Sequence, residues 1–151
     1  MGRVEKSIEI GAPPEKVWEI LALDRFLEWD EGTQKNAKRV EYTSEVRTPK
    51  DKYRVGATAN FIDKHDKIFL ACEVTESLEN EKITYRTSYL FVHRIDLTYV
   101  LEPVEKGTKL TYVINYEMVG WWILGKILVK LMTSGKETER SLKKLKSILE
   151  K

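Results

Sequence analysis

Between residues 3 and 10, Val4, Ile8 and Ile10 alternate with Glu5, Ser7 and Glu9. This period of two predicts a strand with one buried face. The following GAPPEKVWEILAL begins a helix: its prolines suit a first turn, and Val17, Trp18, Ile20 and Leu21 supply an apolar face. DRFLEWDEG predicts a second short helix, with Asp24 as its cap and Gly32 as its stop. From about residue 37 to 118 the pattern turns to strands, near 38–47, 54–63, 67–78, 82–90, 92–103 and 108–118. Reversals rich in Gly, Pro, Asn and Asp separate them, and connections this short join antiparallel neighbours. The tail, from about 120 to 150, predicts a long helix. Leu124, Leu128, Leu131, Gly135, Thr138, Leu142, Leu145 and Leu149 form one face. Lys136, Glu137, Glu139, Arg140, Lys143, Lys144 and Lys146 form a solvated one. The order predicts an α+β helix-packed architecture in one domain, 1–151: a seven-stranded antiparallel sheet, two short helices after strand 1, and the sheet curled around the long C-terminal helix.

Composition narrows the class. A chain of 151 residues with 42% hydrophobic and 33% charged residues can bury a sizeable core. The formal net charge of +2 does not suit a nucleic-acid binder. A single cysteine, Cys72, excludes an internal disulfide and a multi-cysteine zinc site. With no apolar run in MGRVEKSIEI to serve as a signal, the expected location is cytoplasmic.

The stretch VEKSIEIGAPPEKVWEIL resembles the opening of the Bet v 1-like, START-related (SRPBCC) superfamily, which includes polyketide cyclase/dehydrase and lipid-transport proteins. The residues carrying the likeness are Ile10, Ala12, Pro13, Val17 and Trp18, with Trp29 after them. VLEPVEKGTKLTYVINYEMVG is similar to the family's penultimate hairpin, with Pro103, Gly107 and Thr108 at its turn. The resemblance implies a helix-grip fold whose cavity takes an apolar ligand, with no cofactor. It does not choose among carriers, receptors, cyclases and cochaperone domains.

Strand parity adds an independent reading. Tyr42, Tyr85, Tyr89, Tyr99, Tyr112 and Tyr116 all fall on the apolar parity of their strands, as does His93. Buried phenols need hydrogen-bond partners, and a cavity wall supplies them through water or ligand. Leu131, Gly135 and Thr138 on the long helix complete the expected lining, because a mid-helix glycine facing something bulky has a motive. That bulky group is either a ligand or a side chain such as Trp18 or Trp29.

Catalytic signals are sparse. His93 is the one acid/base candidate, and a lone inward histidine is more often a core residue. His65 falls in a turn, and two isolated histidines make no metal site. Asp24, Glu28, Asp30 and Glu31 cluster around the second short helix, where caps and surface account for them. Gly120 to Lys126 has the spacing of a phosphate-binding loop, but Ile127 stands where Ser or Thr is required. VGWWILGKILVKLM, residues 119–132, falls short of the ~20 residues that span a bilayer. Lys126 and Lys130 offset its apolar gain. Trp121 and Trp122 are instead expected at the cavity entrance, gating a ligand or resting on a membrane surface.

Three functions compete at this level. The first is a carrier or sensor of a lipid-, isoprenoid- or polyketide-like molecule. The second is a cyclase/dehydrase-type enzyme using His93 and the tyrosines. The third is a cochaperone or quinone-biosynthesis accessory module presenting Trp121 and Trp122.

Overall fold

The computed structural model describes residues 2–89, 92–118 and 135–151. Strand β1 (Gly2–Ile10) leads to α1 (Pro14–Ile20), a 3-10 turn (Leu23–Arg25), α2 (Phe26–Trp29) and α3 (Glu31–Asn36). Then come β2 (Arg39–Tyr42), a 3-10 turn (Pro49–Lys52), β3 (Thr58–Ile62), β4 (Ile68–Leu78), β5 (Lys82–Tyr89), β6 (Val92–Val104) and β7 (Gly107–Met118). The helix α4 (Gly135–Leu149) follows. The strands form one antiparallel sheet in the order β1-β7-β6-β5-β4-β3-β2, so β1 closes on β7 rather than on β2. This is the α+β helix-grip arrangement, with α4 against the concave face. Among the described residues no helix is long and apolar enough to cross a membrane.

The turn between β6 and β7 shows why the resembling motifs sit together. Gly107 has φ +150, and a Cβ there would run into the carbonyl oxygen of Ile10. The backbone of the β1 exit therefore lies directly on the turn, which only glycine permits. Thr108 is fully buried and donates its hydroxyl hydrogen to the Ala12 carbonyl at 2.8 Å. From the other side, the Gly11 N–H donates to the Glu150 carboxylate at 2.6 Å, tying the end of α4 to the same corner.

Three local expectations change. The second short helix is divided into the 3-10 turn, α2 and α3, and Gly32 lies inside α3 instead of ending a helix. Asp24 caps nothing: it accepts from Lys52 at 2.8 Å and Tyr42 at 3.3 Å, while Asp30 is the residue that caps α3. Strands 38–47 and 54–63 are shorter. After Tyr42 the Asp51 carboxylate takes the Arg47 and Thr48 N–H groups into a 3-10 turn, and Gly56, at φ +94, turns the chain before β3.

One register shift matters for the interior. Phe61 pairs with Leu70 and Ile62 with Ile68, so Phe69 is the extra residue of a β-bulge. Ile68, on the parity of buried Cys72, is thereby 61% exposed, and Phe69 and Leu70 both face inward.

Candidate functional site

The strands carry two kinds of inward residue along their length. Toward the β6–β7 turn, Ile10, Val74, Ile83, Tyr85, Leu101, Leu110 and Leu145 pack with Val17, Ile20, Leu21 and Leu23 into a filled core. Toward the opposite end, the same strands present Phe61, Phe69, Leu70, Ile95, Leu97 and Ile114 to a cavity of about 310 Å³. Phe26, Trp29, Tyr99 and Tyr112 divide the two. Phe26 meets the edges of Phe61, Tyr85 and Tyr99, with ring centres 5.9–6.3 Å apart. Tyr99 and Tyr112 stack at 4.7 Å. Trp29 donates its indole N–H to the Ile20 carbonyl at 3.1 Å, which fixes the ring in this wall.

The helical side of the cavity is polar. Asp30, Gly32, Thr33 and Lys35 approach from α3 and its cap, and Glu137, Thr138 and Ser141 from α4. Asp30 accepts from the Thr33 N–H at 3.0 Å and the Thr33 hydroxyl at 2.7 Å. Asp30 is half-buried, and it borders the cavity. Burial pushes its pKa up, against the opposing pull of the Thr33 and Ser141 hydrogen bonds. Glu137 is also pushed up, first by burial and then by the Asp30 and Glu31 carboxylates, with Lys35 and Arg140 opposing. Tyr112 is raised by burial and by the nearby Asp30 charge.

Glu31 behaves oppositely. Arg140 grips it with two hydrogen bonds, at 2.7 and 2.9 Å, and Lys35 lies 3.0 Å away. The Arg140 bond above all, then Lys35, holds its carboxyl down at about 2. The Glu31 N–H also donates to the Ser141 hydroxyl at 2.9 Å, so α3 and α4 are latched together at the cavity edge.

On the sheet side, Thr87 lines the same cavity from β5, where it pairs with Ile95. Its hydroxyl oxygen is buried and has no hydrogen-bond partner among the described residues. Among those residues no three His, Cys, Asp or Glu side chains converge on a metal position.

Of the residues singled out from the sequence, Tyr112 and Thr138 line the cavity. Tyr85 and Tyr99 lie in the filled core and dividing wall. The Tyr85 hydroxyl donates to the Leu21 carbonyl at 2.6 Å, and the Tyr99 hydroxyl bonds to that of Tyr112. Backbone and neighbouring phenol satisfy these groups, so neither requires a ligand. Tyr42 faces Asp24 beside Lys52, away from the cavity. Tyr116 packs half-buried against the Ile95–Ile114 pair. Tyr89 and His93 belong to β5 and β6, but their side chains lie outside the described residues. So do Leu131, Trp121 and Trp122. Gly135 begins the described part of α4.

The sequence reading missed Asp30, Glu137 and Thr87. Asp30 was assigned to caps and surface, and it does cap α3. Glu137 was placed on the solvated face of α4, yet it lines the cavity one position before Thr138. The available signal was Gly32: a glycine inside a helix costs about 1 kcal/mol relative to alanine. A Cβ at Gly32 would stand 2.8 Å from a Glu137 carboxylate oxygen and 3.6 Å from one of Asp30. The missing methyl leaves that space to the two acids.

The chain belongs to the polyketide cyclase / dehydrase and lipid transport family, whose model matches residues 1–150. Among solved structures it is similar to protein MLL2253 from Mesorhizobium loti, at 19% identity over 99% of this chain and 97% of that one, with a TM-score of 0.68. Protein CV1439 from Chromobacterium violaceum gives 16% identity, 99% and 97% coverage and a TM-score of 0.66. The di-domain ARO/CYC BexL gives 17% identity and a TM-score of 0.71 over 97% of this chain and 46% of that one. At these identities the likeness is one of fold. No curated protein matches the sequence.

Proposed function

We propose that the chain binds a small hydrophobic molecule, of lipid-, isoprenoid- or polyketide-like character, as its carrier or sensor. The observation that carries this reading is the unfilled end of the grip. A space of about 310 Å³ is walled by Phe61, Phe69, Leu70, Ile95, Leu97 and Ile114, whereas toward the β6–β7 turn Ile10, Val74, Ile83, Leu110 and Leu145 are fully buried. Protein interiors are otherwise close-packed, and pockets for small ligands begin at about this size. Titration with the neutral dye N-phenyl-1-naphthylamine tests it. One saturable site is expected, abolished by Leu97→Trp, which fills the space. Absence of saturable binding, or binding indifferent to that substitution, overturns it.

A cyclase-type reaction is the second reading, favoured by one observation. Asp30 presents a carboxyl group with a raised pKa to a cavity whose sheet side is apolar, beside the Tyr112 phenol. Such a group can exchange a proton with a bound polyketone. Turnover of a polyketone mimic that is unaffected by Asp30→Asn would remove this reading.

A further inference from the structure

Among the described residues, the charges at the helical side of the cavity do not balance. Three carboxylates, Asp30, Glu31 and Glu137, meet two cations, Lys35 and Arg140. Glu31 takes both cations, Arg140 through two hydrogen bonds and Lys35 at 3.0 Å. Asp30 is left with the neutral donors Thr33 and Ser141. Among the described residues, no hydrogen bond or ion pair engages the Glu137 carboxylate. Among the described residues, Asp30 and Glu137 thus border one cavity beside Gly32 with no direct cation partner, Lys35 and Arg140 acting on Glu137 only from a distance. Like charges held side by side repel, and a group of opposite charge between them relieves that repulsion.

We propose that Asp30 and Glu137 anchor the ammonium group of an amphiphilic amine whose apolar body fills the cavity. This rests on the cavity being a ligand site and adds the chemical class of the ligand. The ammonium offers several N–H donors, enough for both carboxylates at once, and the bonds to them are charge-assisted. The apolar body then runs along Ile95, Leu97 and Ile114 toward the sheet. There the buried, unpartnered Thr87 hydroxyl supplies a second polar point for a ligand oxygen or nitrogen. Lys35 and Arg140 stay with Glu31 and hold α3 against α4, keeping the two anchors in place.

Displacement of N-phenyl-1-naphthylamine by three probes of one chain length tests the assignment: n-decylammonium, n-decanol and n-decanoate. Wild-type protein is expected to favour decylammonium over decanol at least tenfold, with decanoate the weakest. Glu137→Gln is expected to cut the ammonium-to-alcohol ratio about tenfold. Asp30→Asn, which keeps a capping side chain, is expected to do the same. Equal affinities for amine and alcohol, a preference for decanoate, or a ratio unmoved by both variants overturns the amine anchor. In those cases the dye still binds and only the ligand class falls. If the dye itself finds no saturable site, the cavity reading and the anchor fall together.

Discussion

The two ends of the grip are built by the same strands and the same helix, yet one is solid and the other hollow. At the solid end, Leu145 of α4 belongs to one buried cluster with Ile10, Leu110 and Tyr85, and the Tyr85 hydroxyl is satisfied by the Leu21 carbonyl. At the hollow end, α4 presents Glu137, Thr138 and Ser141 beside Leu142, and β5 presents Thr87. The sheet residues there, Ile95, Leu97 and Ile114, are as apolar as those of the core. The difference lies in the helical side. Among the described residues, α3 and α4 bring mostly small or polar side chains to the sheet there, and Phe26, Trp29, Tyr99 and Tyr112 form an aromatic wall between the space and the core.

The sharpest way to break this contrast is a matched pair of truncations. Leu145→Ala at the solid end is expected to cost about 2–5 kcal/mol, because it opens a void in a filled core. Leu97→Ala only enlarges a space that already exists, and its cost is expected to be under half as large. Urea denaturation measures both, and equal losses would mean that the two ends are packed alike. Next in size is Gly107→Ala, expected to cost about 1–3 kcal/mol, since both the backbone angle and the Ile10 carbonyl oppose a side chain. A shift confined to the solid end in hydrogen exchange would locate that strain.

Thr87→Val carries the opposite sign. Removing a buried hydroxyl that has no partner is expected to stabilise the empty protein by about 1 kcal/mol, read as a higher urea midpoint. A loss of stability would show that the hydroxyl is satisfied in solution. Smallest is the pH effect of Asp30. Its folded-state pKa lies above the unfolded value because of burial. Its stabilising contribution is therefore complete below the unfolded carboxylate value and is lost as pH rises through the folded one. Asp30→Asn is expected to gain slightly on wild type across that window, as melting temperatures against pH would show. Thr33, Ser141, Glu31, Glu137 and Tyr112 all face this carboxyl, so a parallel series in Glu137→Gln separates the two acids.

Much of the architecture could be read from periodicity. The seven strands, the helix after strand 1 and the C-terminal helix each announce themselves by period, because burial on one face imposes it locally. The inward parity of Tyr85, Tyr99 and Tyr112 was legible for the same reason. Parity does not say whether an inward residue meets a neighbour or a void. Tyr85 meets the Leu21 carbonyl, and Tyr112 borders the cavity with the same alternation. The shortened β2 and the bulge at Phe69 were not legible either, since each depends on a side chain from elsewhere or on the partner strand's register.

What the sequence by itself determined is therefore the alternation that turns one face of most strands inward. Only the tertiary structure decided where inward residues leave a space, and which charges border it. Glu137 looks like one more member of a solvated helix face until α3 is laid against α4. Gly32 then opens room for its carboxylate beside Asp30, while Glu31 draws Lys35 and Arg140 away from both. Periodicity is a property of one segment's exposure to an average interior. A cavity and its uncompensated charge come from the distances between segments, which no single segment encodes.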